Sequence, residues 1–343
     1  MKIGIATTAV PFVYGGAEVL AENLRDALTS RGHQAEIIRI PFDWNPPNRI
    51  VEHILACRML SVSTVDHLIG LKFPAYHIPH PSKTLWLLHQ HRQAYDLWGT
   101  AYHDIPDTPE GRAIRLAIIT SDNTFLKEAR RICTISRNVG DRLFRYNAIK
   151  SEALYPPLMH PEKYQCGDYG DYLFFPSRIN SSKRQLLAVQ AMAFTRSPVR
   201  LVLAGAPDSA EDVRQVRQAV EQHGDGRVTL MDRWISEEEK LKLFAGSLGT
   251  LYVPYDEDYG YISLESFHSR KAIITCADSG GSLEFVDNGY TGLVALPEPR
   301  AIAEAMDKLH GDKVRARRLG EAGFNRLASM KISWDRVIER LTQ

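Results

Sequence analysis

Short apolar runs alternate with amphipathic segments along the whole chain. "KIGIATT", "AEIIRI", "HLIGLKF", "TLWLLHQ" and "RICTIS" read as strands in the first half. "YLFFPS", "VRLVLAG", "VTLMD", "GTLYVP", "AIITCA" and "GLVAL" read as strands in the second. Helical patterns separate most of them, such as "AEVLAENLRDALTSRG" (Ala17–Gly32), whose apolar residues recur at three- and four-residue intervals. This alternation, with near-continuous apolar strands, predicts parallel sheets covered by helices. It runs through twice, and the break between the two passes is "LYPPLMHPEKYQCGDYGDY" (Leu154–Tyr172), rich in Pro, Gly and polar residues. The expected fold is therefore α/β, with two doubly wound Rossmann-like domains facing each other across a cleft. Residues 1–157 form the first domain, 158–170 a linker and 171–325 the second domain, while 326–343 form a C-terminal helix returning toward the first. In such sheets ligands sit beyond the carboxyl ends of strands, which directs attention to the loops there.

Composition narrows the function classes. A chain of 343 residues exceeds most single cores, in keeping with two domains. The formal charge of +1 gives no bulk reason to expect nucleic acid as a partner. Cys57, Cys133, Cys166 and Cys276 lie far apart, which argues against a zinc ribbon or disulfide scaffold and fits a reducing compartment. The opening "MKIGIATT" is too brief an apolar run for a signal peptide, and no stretch approaches the roughly 20 apolar residues needed to span a bilayer. A cytoplasmic protein is expected. Arg130, Arg131, Arg142 and Arg145 raise peripheral contact with the inner face of a membrane, against the plainer reading of solvated helix faces.

The loops supply candidate chemistry. After the first strand, "AVPFVYGGAEVLAENL" lacks the G-x-G-x-x-G of a dinucleotide fold. Its Gly15 and Gly16 stand just before a helix, where backbone amides can approach an anion or sugar hydroxyl, or simply form a glycine turn. The fourth strand ends in "LLHQHRQAYDLW". His89 and His91 are spaced to share one side of the strand, but no third metal ligand stands at a convincing distance. A strand-end histidine can instead bond a substrate hydroxyl or pair with a backbone carbonyl. His91, Arg92, Tyr95 and Trp98 then read as an acceptor pocket, since aromatic faces stack on sugars. In "PSRINSSKRQ", Arg178 and Lys183 stand five residues apart across a strand end and a helix start, able to reach one anion such as a diphosphate.

"DEDYGYISLE" sets four carboxylates around Gly260, between the strand "GTLYVP" and a helix. Glu257 lies in the loop and Glu265 in the early helix, so both can face the cleft and accept bonds from sugar hydroxyls. The helix N-terminus between them, at Tyr259, Gly260, Tyr261 and Ile262, offers backbone amides to phosphate. Asp256-Glu257-Asp258 also reads as an Asp-x-Asp metal pair, although Arg178 and Lys183 already offer the countercharge a metal would bring. Downstream, "CADSGGSLEF" places Gly280 and Gly281 before another helix start, with Glu284 close behind.

These segments resemble glycosyltransferase family 4, the retaining enzymes of the GT-B fold. "EDYGYISLESF", "KAIITCADSGG" and "SLEFV" follow that family's second-domain order, with Tyr259 where Phe is usual. "GGAEVLAENLRDALTSRGH" is similar to its N-terminal glycine loop and helix, "PSRINSSKRQ" to its G-R-x-x-x-x-K element with Ser177 for glycine, and "CTISRNV" and "LYPPL" to the pieces that close the first domain. The match spans essentially the whole chain.

The resemblance implies an acceptor-side first domain and a nucleotide-sugar-binding second domain. It implies that Glu257 contacts donor-sugar hydroxyls, Glu265 holds the ribose, and Arg178 with Lys183 neutralises the departing diphosphate. Gly15 and Gly16 would pass near the phosphates or acceptor, His89 near the donor sugar, and the backbone around Arg233 and Trp234 near the base. No metal or other cofactor is implied; the nucleotide sugar is a co-substrate. The departures are His268, Ser269, Arg270, Lys271 and Asp232, expected to border the donor pocket. The resulting expectation is transfer of a hexose from a nucleotide sugar, UDP-glucose favoured and GDP-mannose as the alternative, to a saccharide or lipid-linked saccharide. A sugar-binding protein of the periplasmic type and a nucleotide-sugar epimerase are the other classes.

Overall fold

The structure is a computed structural model that describes residues 1–11 and 14–343. The chain divides into two compact units, one of residues Met1–Pro157 with Ile332–Gln343, the other of Leu158–Lys331.

In unit 1, six parallel strands, β1 (Lys2–Ala9), β2 (Gln34–Pro41), β3 (His67–Lys72), β4 (Lys83–His89), β5 (Arg131–Thr134) and β6 (Glu152–Ala153), lie in the order β2-β1-β3-β4-β5-β6. The helices are α1 (Gly16–Thr29), α2 (Arg49–Met59), α3 (Pro109–Phe125) and α4 (Arg137–Asn147). Thr108 and Ser136 cap α3 and α4 with side-chain oxygens that accept from Gly111 and Val139 amides. Strand order reverses between β1 and β3, so the loops after those strands flank this sheet's switch point. The two-residue β6 has no counterpart among the expected strands; it carries too few residues to show a period.

In unit 2, β7 (Tyr172–Pro176), β8 (Arg200–Ala204), β9 (Val228–Met231), β10 (Gly249–Leu251), β11 (Ala272–Cys276) and β12 (Gly292–Ala295) form a parallel sheet ordered β12-β11-β10-β7-β8-β9. The helices are α5 (Gln185–Met192), α6 (Ala210–His223), α7 (Glu237–Gly246), α8 (Tyr261–His268), α9 (Pro299–His310) and α10 (Lys313–Met330). The switch point lies between β7 and β10, which brings "SRINSSK" and "YDEDYG" side by side. Leu173, Phe175, Leu201, Leu203, Ile274 and Met306 belong to the core on one face, and Phe174 with Phe244 packs the other.

The segment expected as one helix over 326–343 is two. The backbone turns left-handed at Lys331 (φ 51°), ending α10 in unit 2, and Ser333 then caps α11 (Trp334–Thr342) in unit 1. There Trp334 packs edge-on against Trp86, and the Leu341 carbonyl lies 2.9 Å from His67 Nε2. Among the described residues, no helix is long and apolar enough to cross a membrane.

Candidate active site

Three loops at the carboxyl ends of β7, β10 and β11 are bonded to one another. The Tyr255 amide donates to the Ser182 carbonyl and the Asp256 amide to the Asp278 carbonyl, both at 2.8 Å. The Gly281 amide donates to the Glu257 carbonyl at 2.6 Å. Arg184 binds them together: its guanidinium grips Asp278 through both carboxylate oxygens (2.7 and 2.8 Å) and donates to the carbonyls of Val253 and Pro254 at 2.7 Å each. Such a bidentate, nearly buried guanidinium fixes geometry as well as charge.

Onto this frame the sequence places its charges. Asn180 caps the short turn after β7, accepting from the Lys183 amide at 3.0 Å. The Lys183 ammonium is ion-paired with Glu257, both side chains about four-fifths shielded. The buried Tyr252 hydroxyl also bonds Glu257; burial first, and then the carboxylate's charge, raise its pKa, so it stays a donor. Arg178 is more exposed and pairs with Asp208 at 2.8 Å, while Asn180 holds the other Asp208 oxygen.

Glycine is required at two points. Gly260 precedes α8 at φ +82°, and a Cβ there would lie 2.6 Å from Ser282 Oγ. A Cβ on Gly281 would lie 2.5 Å from the Asp258 carbonyl oxygen. Around the start of α8, the buried hydroxyls of Tyr261, Ser263 and Ser282 have no hydrogen-bond partner among the described residues. Buried hydroxyls are ordinarily satisfied, so this cluster beside a helix N-terminus is notable.

Glu265, near the middle of α8, is mostly buried, and its Oε1 accepts from Tyr164 Oη and Lys240 Nζ at 2.7 Å each. Neither partner had a signal in the sequence. Tyr164 belongs to the irregular stretch before β7, and Lys240 stands among the charges of "SEEEKLK".

Arg178, Lys183, Glu257, Tyr259, Gly260, Tyr261, Ile262 and Glu265 are thus gathered on β7, β10 and the segments that follow them. Tyr259 is buried edge-on between Tyr261 and Phe285, and the Tyr261 hydroxyl is buried too. Both rings turn inward because the apolar wall below α8 needs filling, so what faces outward here is backbone. Ile262 is half-buried and packs on the cores of both sheet faces. Arg233 and Trp234 follow β9; Arg233 pairs with Glu239 at 2.6 Å, and the Trp234 ring is exposed.

The departures do not border these loops. His268 and Arg270 lie at the far end of α8 from Gly260, lining a cavity of about 560 Å³ with Glu162, Tyr164, Cys166 and Phe324. Arg270 takes the left-handed conformation (φ 55°) that follows a helix end, where glycine is usual, and its guanidinium rests on Phe324, 4.3 Å from the ring centre. Lys271 is fully buried, donates to the Gly167 and Asp168 carbonyls, and is pushed down to about 8 by burial. Asp232 pairs with Arg217.

Unit 1 carries the remaining candidates. Gly15 is extended and its amide donates to Glu18 Oε2 at 2.9 Å, so the helix's own carboxylate already meets this amide. Among the described residues, nothing lies within 4 Å of where a Cβ on Gly16 would stand. Phe12 and Val13 of the same loop lie outside the described residues. His89 is half-buried at the end of β4, its Nδ1 2.5 Å from the Gln90 carbonyl.

The acceptor reading needs correction at two residues. Tyr95 is buried, donating to the fully buried Asp122 at 2.7 Å, with Tyr76 Oη and His77 Nε2 on that carboxylate's other oxygen. His91 is buried against Phe42 and Phe73, its Nε2 without a partner among the described residues, and is pushed down to about 3 by burial and by the nearby His89 and Lys72. Both rings go inside because the loop's aromatic residues extend the core. Arg92 is mostly shielded and pairs with Asp96 at 2.7 Å; Trp98 is half-buried beneath Arg115. Among the described residues, no group of three or more His, Cys, Asp and Glu side chains is arranged to hold a metal.

Residues 161–326 match the family model of glycosyl transferases group 1. Over 151 residues the chain is 30% identical to the alpha-1,3/1,6-mannosyltransferase ALG2 of Mus musculus, covering 42% of this chain and 36% of that protein. It is 28% identical over 211 residues to the alpha-maltose-1-phosphate synthase of Mycolicibacterium smegmatis, covering 57% and 54% of the two. The chain thus spans between about a third and about a half of these relatives' lengths. Among solved structures it is similar to sucrose-phosphate synthase from Thermosynechococcus elongatus (TM-score 0.79, 16% identity, 100% and 97% of the chains). It is likewise similar to WaaG, a glycosyltransferase involved in lipopolysaccharide biosynthesis (TM-score 0.75, 12% identity, 100% of both chains). Anabaena HepE, solved with UDP and glucose, gives a TM-score of 0.72 at 14% identity over 100% and 98%. The fold is GT-B.

Proposed function

We propose that this chain is a retaining glycosyltransferase of family 4 type, moving a hexose from a nucleotide sugar to a saccharide or lipid-linked saccharide without a metal. The observation that carries the reading is the Lys183–Glu257 pair beside the start of α8, with Glu265 one turn further on. A cation paired with one carboxylate, a helix N-terminus and a second carboxylate on neighbouring segments support a nucleotide-sugar site. The group 1 match over the same residues supports it.

Each group has a defined task. Lys183 and Arg178 would take the diphosphate, exchanging carboxylate partners for phosphate oxygens, and would hold the charge that grows as the anomeric C–O bond breaks. Glu257, held by Tyr252, would accept from donor-sugar hydroxyls once Lys183 turns to phosphate. The acceptor oxygen attacks from the face the diphosphate leaves, and a phosphate oxygen of the leaving group takes its proton. Configuration is retained with no protein base. Arg178 and Lys183 supply the countercharge that a metal provides elsewhere.

UDP-glucose is the leading donor, supported by the likeness to HepE, solved with UDP and glucose. A GDP-mannose donor is the second reading, favoured by the similarity to a mannosyltransferase. A thermal-shift panel of UDP, GDP and ADP with their hexosyl forms, in EDTA, tests both. Stabilisation by one base family names the donor, and no shift with any overturns the reading.

A further inference from the structure

We infer that Tyr164 and Lys240 are positioning residues that aim Glu265 at the donor's ribose. The inference rests on the nucleotide-sugar reading of the site. Both donors converge on Oε1, which leaves Oε2 as the oxygen for a ligand. A carboxylate held at one oxygen by two donors loses its rotational freedom, so the second oxygen meets a diol in a fixed direction.

Each donor is itself anchored. The Tyr164 ring stands edge-on to Phe244, 5.9 Å between centres, and Phe244 in turn packs edge-on against Phe174 of β7. Lys240 on α7 sits with Nζ 5.7 Å from the centre of the same tyrosine ring. Burial, and then the charge of Glu265, raise the Tyr164 hydroxyl, so it remains a proton donor at any working pH. The three side chains come from the segment before β7, from α7 and from α8, so this arrangement depends on the fold rather than on one local motif.

The test is calorimetric titration of the whole chain with UDP, GDP and ADP, followed by the 2′-deoxy and 3′-deoxy forms of whichever binds tightest. Wild type should favour the ribose form over at least one deoxy form by about tenfold. Tyr164→Phe, which keeps the ring on Phe244, and Lys240→Met should each lower that ratio several-fold while affinity for the deoxy form stays nearly constant. Lys240→Arg should restore most of it. Equal weakening toward ribose and deoxyribose forms would give the pair a merely structural role and overturn the inference, leaving the nucleotide site standing. A wild type that binds a diphosphate but ignores both hydroxyls removes Glu265 from the ribose and the inference with it. Binding of none of the three overturns the proposed function as well.

Discussion

Lys183 and Glu257, 74 residues apart in sequence, form an ion pair that joins the loop after β7 to the loop after β10. Both are largely shielded, so their charges act through a medium less screening than water. On the proposed function, a diphosphate arriving here would meet a lysine already placed by Asn180 and Glu257. Lys183→Ala should therefore lower kcat about 100-fold or more with a smaller change in donor KM, as expected where charge develops in the transition state. A raised donor KM with kcat unchanged would assign Lys183 to ground-state binding only.

Glu265→Ala removes the acceptor that Tyr164 and Lys240 orient. It should weaken nucleoside diphosphate affinity by ten- to a hundredfold, on the order of 1.5–3 kcal/mol for a charged hydrogen bond. Unchanged affinity in calorimetry takes Glu265 out of the ribose role.

Metal dependence separates Arg178 and Lys183 from the Asp256–Asp258 pair as the agents on the diphosphate. Turnover should survive millimolar EDTA at the wild-type rate. Loss on chelation, with recovery on adding manganese, would return the function to the aspartates.

A methyl group on Gly281 meets the Asp258 carbonyl, a backbone atom that cannot swing aside. Gly281→Ala should lower stability by about 1–3 kcal/mol and displace the Glu257 loop, so nucleotide affinity falls with the melting temperature. An equally stable variant with full affinity would mean that the two loops are not tightly joined.

His91 predicts an acid response in unit 1. Its folded value of about 3 lies below the unfolded 6.5, so the stability it carries is present above about pH 6.5 and is lost as pH falls toward 3. Over that window the unfolded chain binds a proton the folded one excludes, a slope of about 1.4 kcal/mol per pH unit. His91→Phe should flatten the pH dependence of unit 1 unfolding in urea titrations between pH 7 and 4. An unchanged slope would show that the imidazole takes its proton as readily in the fold as in the unfolded chain.

The strands were legible because parallel strands covered on both faces are apolar almost without interruption, and only the two-residue β6 is too short to show this. That Lys183 and Glu257 would be neighbours was legible because each stands on a loop that follows a strand at the switch point. Arg184 with Asp278, and Tyr164 with Glu265, meet across 94 and 101 residues, and no local spacing marks such pairs. Tyr95 and His91 misled for an opposite reason. A polar and aromatic burst at a strand end reads as ligand-facing, yet Asp122 lies buried far along the chain and satisfies the tyrosine from within.

The return of the chain to unit 1 at Ile332 bears on the order in which the molecule is made. Unit 1 begins first but gains α11 only after the whole of unit 2 has been synthesised. Until then Trp86 lacks its edge-on neighbour, His67 its carbonyl partner, and Glu152 the guanidinium of Arg340. A chain ended at Lys331 and released would carry a complete second unit and a first unit still open along one side. Protease digestion of that shortened chain should therefore cut the part translated first more readily than the part translated later.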